Sequence, residues 1–157
     1  MSKQFVEITG FKEVLHKIVL LGDEKSKRKE VEKILGQVAN SSVKAAKQLA
    51  PVSKKPHVQK RKGQAFGVYI TPGTGKKSIG KKTMRRAKNP TVYVSPRSTR
   101  KADGWYLRQF VIPGTKKIRA NSFIDSAYNQ TKGGVTADAE KRVARYIQKQ
   151  INRLSNA

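Results

Sequence analysis

The chain has 157 residues, 36% of them apolar, with 35 Lys and Arg against 10 Asp and Glu, a formal charge of +25, and no Cys. Such a length and apolar fraction suit one globular domain spanning 1–157, while the lack of Cys excludes a disulfide framework and Cys-rich structural zinc, leaving only His16 and His57 for any imidazole chemistry. The longest aliphatic run, Ile18 to Leu21, is far short of the roughly 20 residues that span a bilayer, and the N-terminus has no signal-peptide core, so the expectation is no membrane and synthesis in a reducing cytoplasm.

Residues 1–50 read as a helical N-terminal part. Phe11, Val14, Leu15, Ile18 and Val19 recur at helical spacing and predict a short first helix, stopped at Gly22 and Asp23. A second, longer stripe of Val31, Ile34, Leu35, Val38, Ser42, Ala45, Ala46 and Leu49 runs to Pro51 and predicts the best helix of the chain. Its small residues, Ala39, Ser42, Ala45 and Ala46, let another element approach closely.

The middle of the chain holds nearly all the excess charge. Residues 1–50 carry ten bases and six acids, residues 51–120 nineteen bases and one acid, and residues 121–157 six bases and three acids. Lys54 and Lys55, then Lys60, Arg61 and Lys62, then Lys76, Lys77, Lys81, Lys82, Arg85, Arg86 and Lys88 form clusters that repel themselves. Segments 51–64 and 72–90 are accordingly expected as solvated basic loops. A β-sheet region over 66–120 is expected from three stretches bounded by Gly, Pro or Asn: Phe66 to Thr71, Thr91 to Ser95, and Trp105 to Ile112. In the second, Val92 and Val94 share a face; in the third, Trp105, Leu107, Gln109 and Val111 alternate with Tyr106, Arg108, Phe110 and Ile112.

Residues 121–157 read as C-terminal helices. Ser122 and Asp125 form a capping box ahead of Ala127 and Tyr128, Gly133 and Gly134 are expected to break that helix, and a last helix from about Thr136 carries Val143, Tyr146, Ile147, Ile151 and Leu154. The fold class that follows is α+β, with N-terminal and C-terminal helices packed on a small antiparallel β-sheet and long basic loops.

No catalytic constellation assembles. Pro72 to Ser78 has a Gly, Gly, Lys and Ser composition, but a phosphate-binding loop would require its leading glycine at Ile70 and its hydroxyl at Lys77. Asp138 and Glu140 are expected in the first turn of the last helix, where the dipole suffices to account for them. His16 is expected on a different face of the first helix from the Phe11 stripe, and His57 lies in the basic loop with no nearby acid to orient it, so the chain reads as no enzyme and as needing no cofactor or metal. Phe66, Tyr69, Tyr93, Trp105, Tyr106 and Phe110 lie among the bases and are suited to stacking nucleobases, although strand aromatics more often belong to a core. No sequence-specific RNA motif is present, but nonspecific phosphate contact is easy at this charge.

Several short motifs occur in a recognisable order: Ile8, Thr9, Gly10, Phe11; Ala46, Lys47 and then Ala50, Pro51; a Gly-containing turn with Ser78 and Ile79; Val92 to Arg97; Trp105, Tyr106 and then Gly114, Thr115; and Ser122 to Ala127, led by Phe123. In that order the chain resembles the tail-completion and head-tail joining (neck) proteins of long-tailed bacteriophages. It departs from many members in having Ile112 and Pro113 before Gly114, and Ser122 and Ser126 where prolines commonly flank the Phe-led helix. The resemblance implies a structural virion protein without catalysis, one subunit of a homo-oligomeric ring of six or twelve copies. It implies neighbours in the neck connector and in the tail terminator or tail tube proteins. Lys60, Arg61, Lys62, Lys76, Lys77, Arg85, Arg86, Trp105, Tyr106, Gly114, Thr115 and Phe123 are the expected inter-subunit or partner contacts. The basic loops are expected to meet either acidic faces of adjacent proteins or, nonspecifically, genomic DNA. The competing reading is a basic structural protein that binds nucleic acid without sequence preference.

Overall fold

The structure, a computed structural model, describes residues 6–7, 24–60, 63, 65–84, 87–98 and 103–155. The expected first helix, Phe11 to Val19, lies outside the described residues. The protein is an α+β fold in which two long helices cover one face of a three-stranded antiparallel sheet, with a second, two-stranded sheet beside them.

Helix α1, Glu24–Leu49, follows the predicted stripe. Val31, Ile34, Leu35, Val38, Ala39, Ser42, Ala45 and Ala46 are buried, whereas Leu49 at the end of the stripe is partly exposed. The three-stranded sheet has the order β1–β5–β4, from β1 (Val6–Glu7), β4 (Ile79–Thr83) and β5 (Val92–Pro96). Strand β5 matches its prediction to within a residue, and its alternation works as expected: Val92, Val94 and Pro96 point into the core, Tyr93 and Ser95 away from it. Strand β1 falls in the segment expected to be helical.

Strand β4 corrects the expectation of a solvated loop over 72–90. That segment holds a one-turn helix α2, Thr74–Ser78, entered through Gly73 at φ +84°, and then β4 itself. Ile79 is the one apolar side chain of β4, so periodicity had little to register; its partner is the backbone of β5, with Ile79 opposite Pro96 and Thr83 opposite Val92. Lys81, expected in solvent, donates to the Gly36 carbonyl and to Asn40 Oδ1 of α1, the latter at 2.7 Å, and so fastens sheet to helix.

The largest departure is at 105–112, which is helical rather than extended. Trp105 and Tyr106 begin a turn that widens into a π-helix over Leu107–Val111. Asp103 Oδ1 accepts from the Trp105 backbone N–H at 2.9 Å, satisfying a donor that a helix start leaves open. Gly104 is buried so tightly that a Cβ there would sit 2.6 Å from Pro96 Cβ and 2.9 Å from the Arg97 nitrogen. The turn brings Phe110 against Trp105 at 5.1 Å and against Tyr106 at 5.3 Å, both between ring centroids, and sends Leu107 into the core. Alternating and helical spacing are hard to separate in an eight-residue run rich in large apolar side chains.

Helix α3, Phe123–Ser155, is continuous through Gly133 and Gly134. Ser122 stands at the cap, as expected: its carbonyl accepts the first helical bond from the Ser126 N–H at 3.0 Å, and Asn121 Oδ1 adds a bond from the Phe123 backbone N–H at 3.1 Å. The glycines cost about 1 kcal/mol each relative to alanine. That cost is outweighed because Phe123, Ile124 and Ala127 on one side and Val135, Ala139 and Val143 on the other form one buried stripe against α1. Ser42 and Thr131 hydroxyls meet at 2.8 Å where the helices cross, and Arg142 Nη1 donates to Gln37 Oε1 at 2.8 Å, so the two helices run antiparallel. Asp138 and Glu140 therefore stand mid-helix, and the dipole account fails; Asp138 instead pairs with Arg142 one turn on, at 2.9 Å.

Candidate interaction surfaces

Among the described residues the remaining strands, β2 (His57–Gln59) and β3 (Val68–Ile70), pair only with each other, His57 opposite Ile70 and Gln59 opposite Val68. Strand β2 corrects the expectation of an unbroken loop over 51–64. Strand β3 matches the predicted stretch but belongs to this separate hairpin rather than to the main sheet. The hairpin does not bury its apolar side chains: Val58, Val68 and Tyr69 are exposed, and Phe66 is 85% exposed. Phe66 and Tyr69 are thus not core, against the usual fate of strand aromatics. Val58 lies across the bare backbone of Gly67, where an added Cβ would collide with it.

At the base of the hairpin is a concavity of about 250 Å³, lined on its apolar side by Val52, Ile70, Tyr106, Leu107 and Val111. Helix α2 closes one side of it, and Gly75 allows Leu107 to come within 3.0 Å of where a Cβ would be. The pieces come from four separate parts of the chain, which is why no sequence pattern announces the pocket.

The expected contact residues distribute unevenly over this surface. Lys60 is exposed directly after β2; Lys76 and Lys77 decorate α2, the former half-buried. Tyr106 lies at the concavity and is exposed, and Trp105 is half-buried beside it. Gly114, at φ +76°, and Thr115 form a turn closed by Thr115 N–H to the Ile118 carbonyl at 2.8 Å, with Thr115 Oγ1 accepting from the Lys117 and Ile118 N–H groups. Their local role is to close the turn that leads into α3. Phe123 is 3% exposed and belongs to the core, so it anchors the start of α3 instead of meeting a partner. Arg61, Lys62, Arg85 and Arg86 lie outside the described residues.

A second surface was only partly visible in the sequence. Tyr93 and Ser95 of β5, Gly80 and Lys82 of β4, Arg97 after β5 and Arg108 on the π-helix converge on the sheet face turned away from α1. The sequence signals were Tyr93, an aromatic among bases, and the alternation of β5, which put Tyr93 and Ser95 on one side; the bases that join them come from outside it.

Among the described residues no group of three or more His, Asp or Glu side chains gathers as metal ligands would, and no helix is long and apolar enough to cross a membrane. No family model, curated protein or solved structure matches the chain.

Proposed function

We propose that this chain is a structural virion protein of a tailed phage: a ring-forming tail-completion or head-tail joining subunit with no catalytic role. The observation that carries the reading is the β2–β3 hairpin, which holds Val58, Phe66, Val68 and Tyr69 in solvent on a sheet of only two strands. An isolated two-stranded hairpin is marginal in water, and its outer edges, unpaired among the described residues, offer backbone groups to another chain. Exposed apolar groups on such an element are best accounted for by burial in an assembly. A head-to-tail contact between hairpin and neighbouring copy closes into a ring when the rotation closes, giving the six or twelve copies that the resemblance implies. The ordered motifs from Ile8 to Ala127 add independent support. The remaining partners in this reading are the neck connector above and the tail terminator or tube proteins below, and the location is the virion after synthesis in the host cytoplasm.

The test is a copy count by quantitative mass spectrometry on virions purified through nuclease treatment and a high-salt gradient. A small fixed number per particle, matching one ring, is expected. Absence from particles, or removal by nuclease and salt, overturns the reading in favour of a basic nucleic-acid-binding protein.

A further inference from the structure

On the sheet face away from α1, a concavity of about 530 Å³ is lined by Lys82, Tyr93, Ser95, Arg97 and Arg108, with Met84 at its rim. Its three cations come from β4, from the residue after β5 and from the π-helix, so the fold alone brings them together. Among the described residues no carboxylate pairs with any of the three. Arg97 is held in place: its Nη1 donates to the Lys81 carbonyl at 3.0 Å, and its guanidinium lies across Gly80, where a Cβ would stand 2.9 Å from Nη2. A side chain at position 80 would push it off the sheet. Tyr93, half-buried, stands directly opposite Lys82 in the strand register and opposite Glu7 on its other side.

We infer that this concavity binds a nucleic-acid strand, with Lys82, Arg97 and Arg108 on successive phosphates of the backbone and a base against Tyr93. Two features suit a phosphate backbone, and a third favours it over an acidic peptide. Lys82 and the Gly80 position over which Arg97 lies are two residues apart on one strand, about 7 Å, close to the separation of neighbouring phosphates on an extended strand. Guanidinium groups held flat present paired N–H donors that fit phosphate oxygens. An aromatic ring set among the cations supplies the stacking platform that single-strand binders use and that a run of carboxylates would leave without a role. The inference goes beyond the neck reading and does not depend on it, because it concerns the isolated chain.

The experiment measures fluorescence anisotropy of a labelled short oligothymidine with the purified full-length chain across a salt series. Each phosphate contact on a single strand contributes about 0.7 to the slope of log affinity against log salt. Lys82→Ala with Arg108→Ala, which leaves the Arg97 bridge intact, should lower the slope by about 1.4. The charge-matched control Lys44→Ala with Lys149→Ala, on exposed helix positions, should leave it unchanged. Tyr93→Leu should weaken binding on the order of tenfold with the slope retained. Photocrosslinking to an iodouracil-substituted strand should map to the peptide containing Tyr93. Equal slope losses in the groove and control variants, full binding by the groove variant, or crosslinks confined to 57–70 would each overturn the site. Displacement of the strand by polyglutamate at equal charge, with Tyr93→Leu silent, would assign the groove to an acidic protein instead. Far-ultraviolet circular dichroism of each variant confirms that folding is intact.

Discussion

The two sheets of this protein are made of similar residues and treat them in opposite ways. In β5, Val92 and Val94 are almost wholly buried beneath α1; in the β2–β3 hairpin, Val58, Val68 and Tyr69 are left in solvent. Strands β2 and β3 have three residues each against five in β4 and β5, but the larger difference is what lies across from each face. Helix α1 is amphipathic over 26 residues and has one stripe to bury, which the main sheet and α3 take up entirely. Among the described residues no such stripe remains for the hairpin. The comparison teaches that an apolar strand guarantees a demand for burial, while the supply is set by the other elements of the fold.

The contrast can be broken or sharpened by substitution. The largest effect should come from the buried side: Leu35→Ala, at a site 3% exposed, should cost about 2–5 kcal/mol in urea or thermal unfolding. Gly104→Ala should cost about 1–3 kcal/mol, because the new methyl meets Pro96 and the Arg97 backbone in a packed corner that joins the sheet to the π-helix. Replacing both Gly133 and Gly134 by Ala should act the other way and stabilise by up to about 1–2 kcal/mol. A Cβ at either position meets nothing within 4 Å, and the helix is already formed there. Loss of stability on this replacement would mean that α3 is bent or broken between its two buried halves. Ser42→Ala should cost about 1 kcal/mol, since Thr131 keeps its bond to the Ala127 carbonyl when its partner is removed.

The smallest effect on stability should come from the hairpin. Phe66→Ser should change the unfolding free energy of the isolated chain by less than about 0.5 kcal/mol, yet, under the proposed ring assembly, abolish rings in negative-stain micrographs. A large loss of stability in the isolated chain would show that Phe66 is buried in the monomer and would erase the contrast between the two sheets. Charge reversal at Lys60, Arg61 and Lys62 tests the proposed virion role from the same segment: under that proposal infectious titre should collapse.

Where the sequence was legible, the pattern was long or the chemistry local. The stripe from Val31 to Ala46 extends over more than four turns, so its period is unmistakable, and the alternation of Val92, Tyr93, Val94 and Ser95 sits between a proline before and a proline after. The misread regions share a different property: each owes its conformation to a remote partner. Strand β4 has one apolar residue and forms because β5 needs an edge partner; the glycines of α3 stay helical because both flanking stripes lie on α1; Trp105 to Ile112 turns helical because Asp103 caps it and Gly104 fits under Pro96. The basic concavity was illegible for the same reason, since Lys82, Arg97 and Arg108 are scattered over 27 positions with no shared period.

The sequence by itself determined the α+β class, the main helix, the central strand β5 and the concentration of positive charge between residues 51 and 120, because these depend on composition and on short-range periodicity. Tertiary structure alone decided which apolar strand is covered, whether two adjacent glycines end a helix, and which of the many bases face one another across the sheet. The physical reason is that backbone pairing and burial are satisfied over the whole molecule at once, so a weak local preference yields wherever a distant surface offers more contact.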